Sequence, residues 1–467
     1  MQHYPLLIDG KLVDGAHKLD VINPATGDVF ATCERADEAQ LEEAVQAAKR
    51  AFPKWAATPV VERRAALMKI ADEIESRTDE FARTITLEQG KVLMDSQIEV
   101  MGTVAMLRIL GSLEIETKVI RDTDAERIVE HRTPLGVVAA ITPWNVPLSL
   151  LCVKVTPALL SGCTVVAKPA PTTPLSSLLF AGVCAKYLPA GVFNMIVDQN
   201  DLGGLLTAHP DVAKVSFTGS TATGKKVMES GASSLKRVTL ELGGNDAAIV
   251  LGDCDPKEVA PKIFAGAMMN SGQICLAIKR AYVHDSIYDL VCDELAKLAE
   301  AAVVDDGMKQ GAQYGPMQNK MQYEKVLALI EETRSAGTVI AGGNAVDGPG
   351  YFIRPTIVRD IADDARLVRE EQFGPVLPVL RFSDVDDVIE RANDTEFGLG
   401  GTVWTKDWQQ GAEIAARIDT GTVWVNQHMA IDPFISVGGA KQSGMGRELG
   451  QEGLEEFTQR KLVCVAK

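Results

Sequence analysis

The 467-residue chain predicts an α/β protein of parallel sheets, and three observations lead there. Short β-branched runs alternate with amphipathic helical stretches, which is how βαβ units read in sequence. The alternation occurs in both halves, with a soft boundary near Glu241-Leu242-Gly243-Gly244, where one run ends in two glycines and a second strand-helix series begins. The chain is also too long for one ordinary domain, so two or three are expected.

Strands are expected at 137–141, 164–167, 192–197, 212–217, 238–242, 247–251, 281–283, 401–405 and 422–426. Helical periodicity, with polar residues on one face and Leu, Ile, Ala or Val on the other, is clearest over 61–83, 175–187, 287–302, 321–333 and 385–392. A helical stretch at 259–269 leads to Asn270, and one short helix follows Gly444. The last run, Lys461-Leu462-Val463-Cys464-Val465, reads as a strand with no evident neighbour, so it is expected to pair with another segment or another subunit.

A net charge of −16 with no local basic cluster repels phosphate backbones and anionic lipid, which excludes nucleic acid and membrane as expected partners. Met1-Gln2-His3-Tyr4-Pro5 lacks the basic start and apolar run of a leader, and the apolar stretches elsewhere are interrupted before they span a bilayer. A cytoplasmic location is expected. The eight cysteines, at 33, 152, 163, 184, 254, 275, 292 and 464, form no C-x-x-C pair and no zinc spacing, so no metal is expected. The default for each is a buried small apolar residue, and Cys275 has to be argued out of it.

Five motifs carry the chemistry. In Thr218-Gly219-Ser220-Thr221-Ala222-Thr223-Gly224 a strand runs into a glycine-bounded turn and a helix, a start whose N–H groups attract phosphate. Thr221 breaks the pattern G-x-G-x-x-G, and Lys226 stands where a magnesium-binding loop needs Ser or Thr, so a plain strand-to-helix turn reads equally well. Thr142-Pro143-Trp144-Asn145-Val146-Pro147 follows a strand end, where open α/β sheets place ligands. The Asn145 amide can donate to an oxyanion, although capping a helix that begins near Leu148 is the plainer reading. Val166-Ala167-Lys168-Pro169-Ala170-Pro171 ends another strand, and Lys168 there reaches a ribose or phosphate or is simply solvated.

Asn270-Ser271-Gly272-Gln273-Ile274-Cys275 places a thiol at a backbone turn, and Glu241 ends a strand upstream. Exposure and a positive field make such a thiol a nucleophile. None of the six histidines, at 3, 17, 131, 209, 284 and 428, lies near it in sequence, which argues against a Cys-His hydrolase. Glu370-Glu371-Gln372-Phe373-Gly374-Pro375 offers acids for sugar hydroxyls and a ring for stacking, or a helix cap and a packed ring.

Together with Asn23-Pro24-Ala25-Thr26-Gly27 near the start and Lys441-Gln442-Ser443-Gly444-Met445-Gly446-Arg447-Glu448 near the end, these motifs resemble the aldehyde dehydrogenase superfamily in order and approximate spacing over nearly the whole chain. The resemblance implies that Cys275 is the nucleophile, Glu241 the general base, and Asn145 the oxyanion donor together with the Cys275 N–H. It further implies an NAD site, with NADP possible. Lys168 lies there on the adenosine ribose, Gly219 and Ser220 on the pyrophosphate, and Glu371 and Phe373 on the nicotinamide ribose and ring. Thr142, Trp144, Gly224 and Leu242 complete that site. The implied fold has a Rossmann-like cofactor domain (1–112 and 135–242), an α/β catalytic domain (243–443) and a small β oligomerisation element (113–134 and 444–467) that makes a homodimer or homotetramer.

Where many NAD-preferring relatives carry a glutamate, this chain has Pro171, which neither grips ribose hydroxyls nor repels a 2′-phosphate. The substrate funnel implied by the resemblance is Val146, Leu150, Val153, Ile274, Leu276 and Val437, with Phe434 as its ring. Aliphatic walls suit a hydrophobic or aromatic aldehyde, and the lack of arginine there disfavours the alternative, a carboxylate-bearing semialdehyde. Glu241 argues for the hydrolytic branch over CoA acylation. A P-loop-like nucleotide hydrolase is disfavoured by Lys226, and a non-catalytic relative by the intact set of Cys275, Glu241, Asn145 and Lys168.

Overall fold

A computed structural model describes residues 3–467; the first two positions of the expected 1–112 segment lie outside them. The first sheet runs Lys11–Val13, Leu6–Ile8, Phe193–Met195, Thr164–Lys168, Val137–Ile141, Val212–Thr218, Arg237–Glu241, Gly444–Met445. From Phe193–Met195 to Arg237–Glu241 the strands are parallel, and antiparallel strands close both edges. Val137–Ile141 and Thr164–Lys168 are buried at every position, which is why 137–141 and 165–167 read as apolar runs although Lys168 follows.

The second sheet runs Thr338–Ala341, Thr356–Arg359, Val376–Phe382, Ile278–His284, Asp246–Val250, Gly400–Trp404, Thr422–Val425. A third, small sheet pairs the tail strand Thr458–Ala466 with Glu126–Pro134, which in turn pairs with Lys118–Asp122. The tail thus finds a partner within the chain. Before it does so, Gly444–Met445 joins the first sheet, and Leu454 and Phe457 pack into that sheet's core.

The helical stretch expected at 61–83 is instead two helices, Val60–Ser76 and Thr78–Gln89, separated at Arg77. The Thr78 hydroxyl donates to the Glu75 carbonyl, and Arg77 binds Glu80 and Glu73, so polar side chains at the break satisfy the chain ends. Two further long helices, Glu38–Ala57 and Leu93–Ser112, flank this pair in sequence. Among the described residues no helix is long and apolar enough to cross a membrane.

In the first sheet the chain passes outward from Val137–Ile141 through Thr164–Lys168 to Phe193–Met195, then returns to Val212–Thr218 on the other side. Ligands in open α/β sheets bind beyond the carboxyl ends of the strands at such a reversal. Here those ends are Thr142–Asn145 and Thr218–Ser220, and Asn145 reaches the turn that precedes the second-sheet strand Ile278–His284.

Candidate active site

Cys275 lies just before the strand Ile278–His284, while Asn145 and Glu241 lie at the carboxyl ends of strands in the first sheet. The turn that carries the thiol is forced by backbone sterics. Asn270, Ser271 and Gly272 have φ of 50°, 55° and 72°, and a Cβ on Gly272 would stand 2.2 Å from the Gly374 carbonyl oxygen. Left-handed backbone at non-glycine residues is uncommon and needs outside support. It comes from Ser271 Oγ donating to the Gly315 carbonyl (2.7 Å) and from the buried Gln273 amide donating to Asn270 O (2.9 Å) and accepting from Gln318 N (2.8 Å).

Asn145 is 3% exposed, and its Nδ2 donates to the Gln273 carbonyl at 2.9 Å, tying the two halves of the site together. It does not cap the following helix, whose cap position, Val146, makes no side-chain cap. The Asn145 carbonyl accepts from Asn270 Nδ2 (3.0 Å) and from Lys91 Nζ (2.9 Å). Lys91 pairs with Glu99 at 2.6 Å, and Glu99 Oε1 accepts from Leu148 N at 2.9 Å, at the start of the helix Pro147–Ser161. This buried pair, absent from the sequence reading, positions the Asn145 loop from behind.

Glu241 is half-buried, and its Oε1 has no hydrogen-bond partner in the protein. Burial pushes its carboxyl well above the ordinary range, the charge of Glu448 adds to this, and Lys154 and Arg447 oppose it. Lys154 and Glu448, both buried, form an ion pair at 2.5 Å. Burial raises the Cys275 thiol to about 12. Lys279 opposes the rise, while Glu371, Glu241 and Asp246 add to it. Glu241 and Cys275 therefore feel one another's charge across the site.

At the reversal in the first sheet, the Thr142 and Thr218 hydroxyls are buried without partners. Ser220 caps the helix Thr221–Ala232 by accepting from Thr223 N, while Gly219 N donates to the Glu241 carbonyl (3.0 Å). Gly224 is needed for close packing, since a Cβ there would lie 2.5 Å from Leu242. Lys168 is not a solvated surface lysine: it is buried and pairs with the buried Asp198 at 2.7 Å. Trp144 meets Phe373 edge to face at 5.4 Å, and Glu371 accepts from Gly244 N at 2.9 Å. Orphaned hydroxyls, a capped helix start and an aromatic pair suit a dinucleotide with its phosphates at the helix and its ring near Phe373.

Val146, Leu150 and Val153 follow one face of the helix that starts at Pro147, and Val153 packs with Val437, Leu110, Leu449 and Met106. Met106, Leu110 and Leu449 extend the apolar wall beyond the residues expected from sequence. Ile274 and Leu276 flank the thiol, half-buried, and a Cβ on Gly400 would lie 2.9 Å from Leu276 Cδ2. Phe434 is 57% exposed and lies outside the packed wall. The His3, Asp14 and Glu34 side chains bring metal-ligating atoms within 4.8 Å of one another, but the Lys18 ammonium already binds Glu34 there.

A thiol in the field of a buried carboxyl, beside a sheet whose strand order reverses as in dinucleotide-binding folds, is an arrangement that oxidoreductases use. The sequence profile of the aldehyde dehydrogenase family matches residues 12–463, and the chain belongs to that family. A phenylacetaldehyde dehydrogenase of Pseudomonas fluorescens is 39% identical, covering 99% of this chain and 96% of its own. A betaine aldehyde dehydrogenase of Rhizobium etli is likewise 39% identical, over 96% and 93%. The NAD+ complex of an aldehyde dehydrogenase from Bacillus cereus superposes with a TM-score of 0.97 at 38% identity, covering 100% of this chain and 97% of that one.

Proposed function

We propose that this enzyme oxidises a hydrophobic or aromatic aldehyde to its carboxylic acid through a thioester on Cys275 that is hydrolysed with Glu241 as base. The observation that carries this reading is the convergence of Cys275, Asn145 and Glu241 from separate elements, fastened by the bond from Asn145 to the Gln273 carbonyl.

Cys275 Sγ adds to the aldehyde carbon. Its proton passes to solvent as the thiolate forms, a charge that Lys279 favours. The Asn145 amide spends one N–H on Gln273 and offers the other to the new oxyanion, beside the Cys275 N–H. A nicotinamide dinucleotide, bound by Thr142, Trp144, Lys168, Gly219, Ser220, Gly224, Leu242, Glu371 and Phe373, supplies the two-electron acceptor. Glu241, as the carboxylate, takes a proton from water, and the hydroxide attacks the thioester carbon to expel the Cys275 thiolate. A carboxylate with raised affinity is suited to that task.

NAD is the proposed acceptor and NADP the alternative, because Pro171 supplies no carboxylate against a 2′-phosphate. The Bacillus cereus relative, solved with NAD+, supports the first. The apolar cluster of Val153, Val437, Leu110 and Leu449, with Val146 and Leu150 on the same helical stretch, favours apolar aldehydes, as does the likeness to a phenylacetaldehyde dehydrogenase. We also infer a cofactor unit (1–112 and 135–242), a catalytic unit (243–443) and a subunit-contact element (113–134 and 444–467) in a cytoplasmic homodimer or homotetramer. Exposed Val119, Ile120, Leu462, Val463 and Val465 on the small sheet support the contact, and eight free cysteines fit a reducing compartment.

The test follows cofactor reduction with phenylacetaldehyde, hexanal, betaine aldehyde and succinic semialdehyde, each with NAD and NADP. The reading predicts the highest kcat/KM for phenylacetaldehyde or hexanal with NAD. Preference for either charged aldehyde overturns the substrate class, and no reduction with any of them overturns the activity.

A further inference from the structure

Lys279, the second residue of the strand Ile278–His284, is buried with 1% exposure, yet no motif in the sequence drew attention to it. A buried ammonium is costly unless charges and acceptors surround it. Its Nζ donates to the Ile274 carbonyl at 2.9 Å and the Cys275 carbonyl at 2.6 Å, and it lies 3.6 Å from Glu371 Oε1. Glu371 is itself held by Gly244 N, and the Lys279 carbonyl accepts from Gln372 Nε2 at 3.0 Å. The cation therefore joins the nucleophile turn to the segment that carries Glu371 and Phe373.

The consequence lies in the geometry of one peptide unit. The Ile274 C=O and the Cys275 N–H belong to the same planar trans amide and point in opposite directions. By holding that carbonyl together with Ala277 N, which donates to it at 3.1 Å, Lys279 aims the Cys275 N–H away from itself. A charged donor on the carbonyl also polarises the amide and strengthens its N–H as a donor.

We propose that Lys279 is a positioning residue that locks the Ile274–Cys275 peptide plane, so that the Cys275 N–H serves as the second oxyanion donor beside Asn145. This rests on the thioester reading and adds a residue to it. Lys279 also contributes positive charge at the thiol, opposing Glu371, Glu241 and Asp246 there, so its removal acts on the thiol as well as on the oxyanion.

The test compares Lys279→Met, Lys279→Gln and Lys279→Arg, with phenylacetaldehyde and NAD as reactants and iodoacetamide alkylation of Cys275 as a reference. Loss of aim at a reacting group costs on the order of 100-fold, so Lys279→Met should lower kcat about that much with KM little changed. Lys279→Gln keeps an amide donor and no charge, folds with less risk, and should lie between Met and wild type. Lys279→Arg should recover most of the loss. In Lys279→Met the alkylation rate should rise with pH along a curve displaced to higher pH. A kcat within about 3-fold of wild type in both Met and Gln variants, where a misaimed donor predicts far more, overturns the proposal. So does a loss confined to KM. The thioester reading fails separately, if wild-type Cys275 resists alkylation or Cys275→Ser keeps turning over.

Discussion

Replacing Asn145 with alanine removes the amide that the account assigns to the oxyanion, and the structure sets the size of the effect. Asn145 Nδ2 spends one N–H on the Gln273 carbonyl at 2.9 Å in a buried setting, which leaves one for the substrate oxygen. Loss of a single oxyanion donor costs about 3–4 kcal/mol of barrier, or 10²–10³ in kcat. The bond to Gln273 is lost as well, and a carbonyl left unpaired on burial costs roughly 1–3 kcal/mol of stability. The variant should therefore fold with a lowered melting temperature. Its kcat should fall 100- to 1000-fold. Alkylation of Cys275 forms no oxyanion, so its rate should stay within about 3-fold of wild type, a change under 1 kcal/mol. Steady-state kinetics at saturating NAD, beside iodoacetamide labelling, make the comparison. A kcat loss under about 10-fold, or alkylation slowed in parallel with kcat, refutes the assignment, because one donor is worth more than that and acts only on the oxyanion.

Two further outcomes follow from the buried charges. Lys154 holds the Glu241 carboxyl down against burial and Glu448, so Lys154→Met should raise it further and move the ascending limb of the kcat–pH profile to higher pH; an unmoved limb counts against Glu241 as the base. Glu88 is fully buried against Leu175 N, Ser176 N and the Ser176 hydroxyl, and burial raises its carboxyl from 4.5 to about 7. The folded state binds that proton more tightly than the unfolded chain, so the stability is present below about 4.5 and about 3 kcal/mol is lost as pH rises to about 7. Glu88→Gln should flatten the dependence of the urea midpoint over that window, and a slope equal to wild type contradicts the origin given.

The parallel strands were legible because burial on both faces leaves apolar runs, as at 137–141 and 165–167. The helix Leu93–Ser112 was not, since Leu, Met, Ile and Val occur all around it and blur the 3.6-residue period. In Glu38–Ala57, Pro53 reads as a breaker although it sits inside the helix. The residues that the account assigns to the reacting atoms stand in local motifs at strand ends and turns, so Cys275, Glu241 and Asn145 could be proposed from the sequence. Their supports could not. Lys154 meets Glu448 across 294 residues, Lys91 reaches the Asn145 carbonyl across 54, and Lys279 looks like any alternating strand position until its carbonyl partners are known.

Hydrolysis of a thioester on Cys275 is the centre of the account, and Glu241→Gln isolates it by keeping the shape of the side chain and removing the base. Mixed rapidly with phenylacetaldehyde and NAD, this variant should release about one equivalent of reduced cofactor per active site and then stall, since acylation proceeds far faster than hydrolysis without the base. Mass spectrometry of the quenched protein should find Cys275 heavier by the aldehyde less two hydrogen atoms. Steady turnover at the wild-type rate, or a burst with no adduct on Cys275, contradicts it.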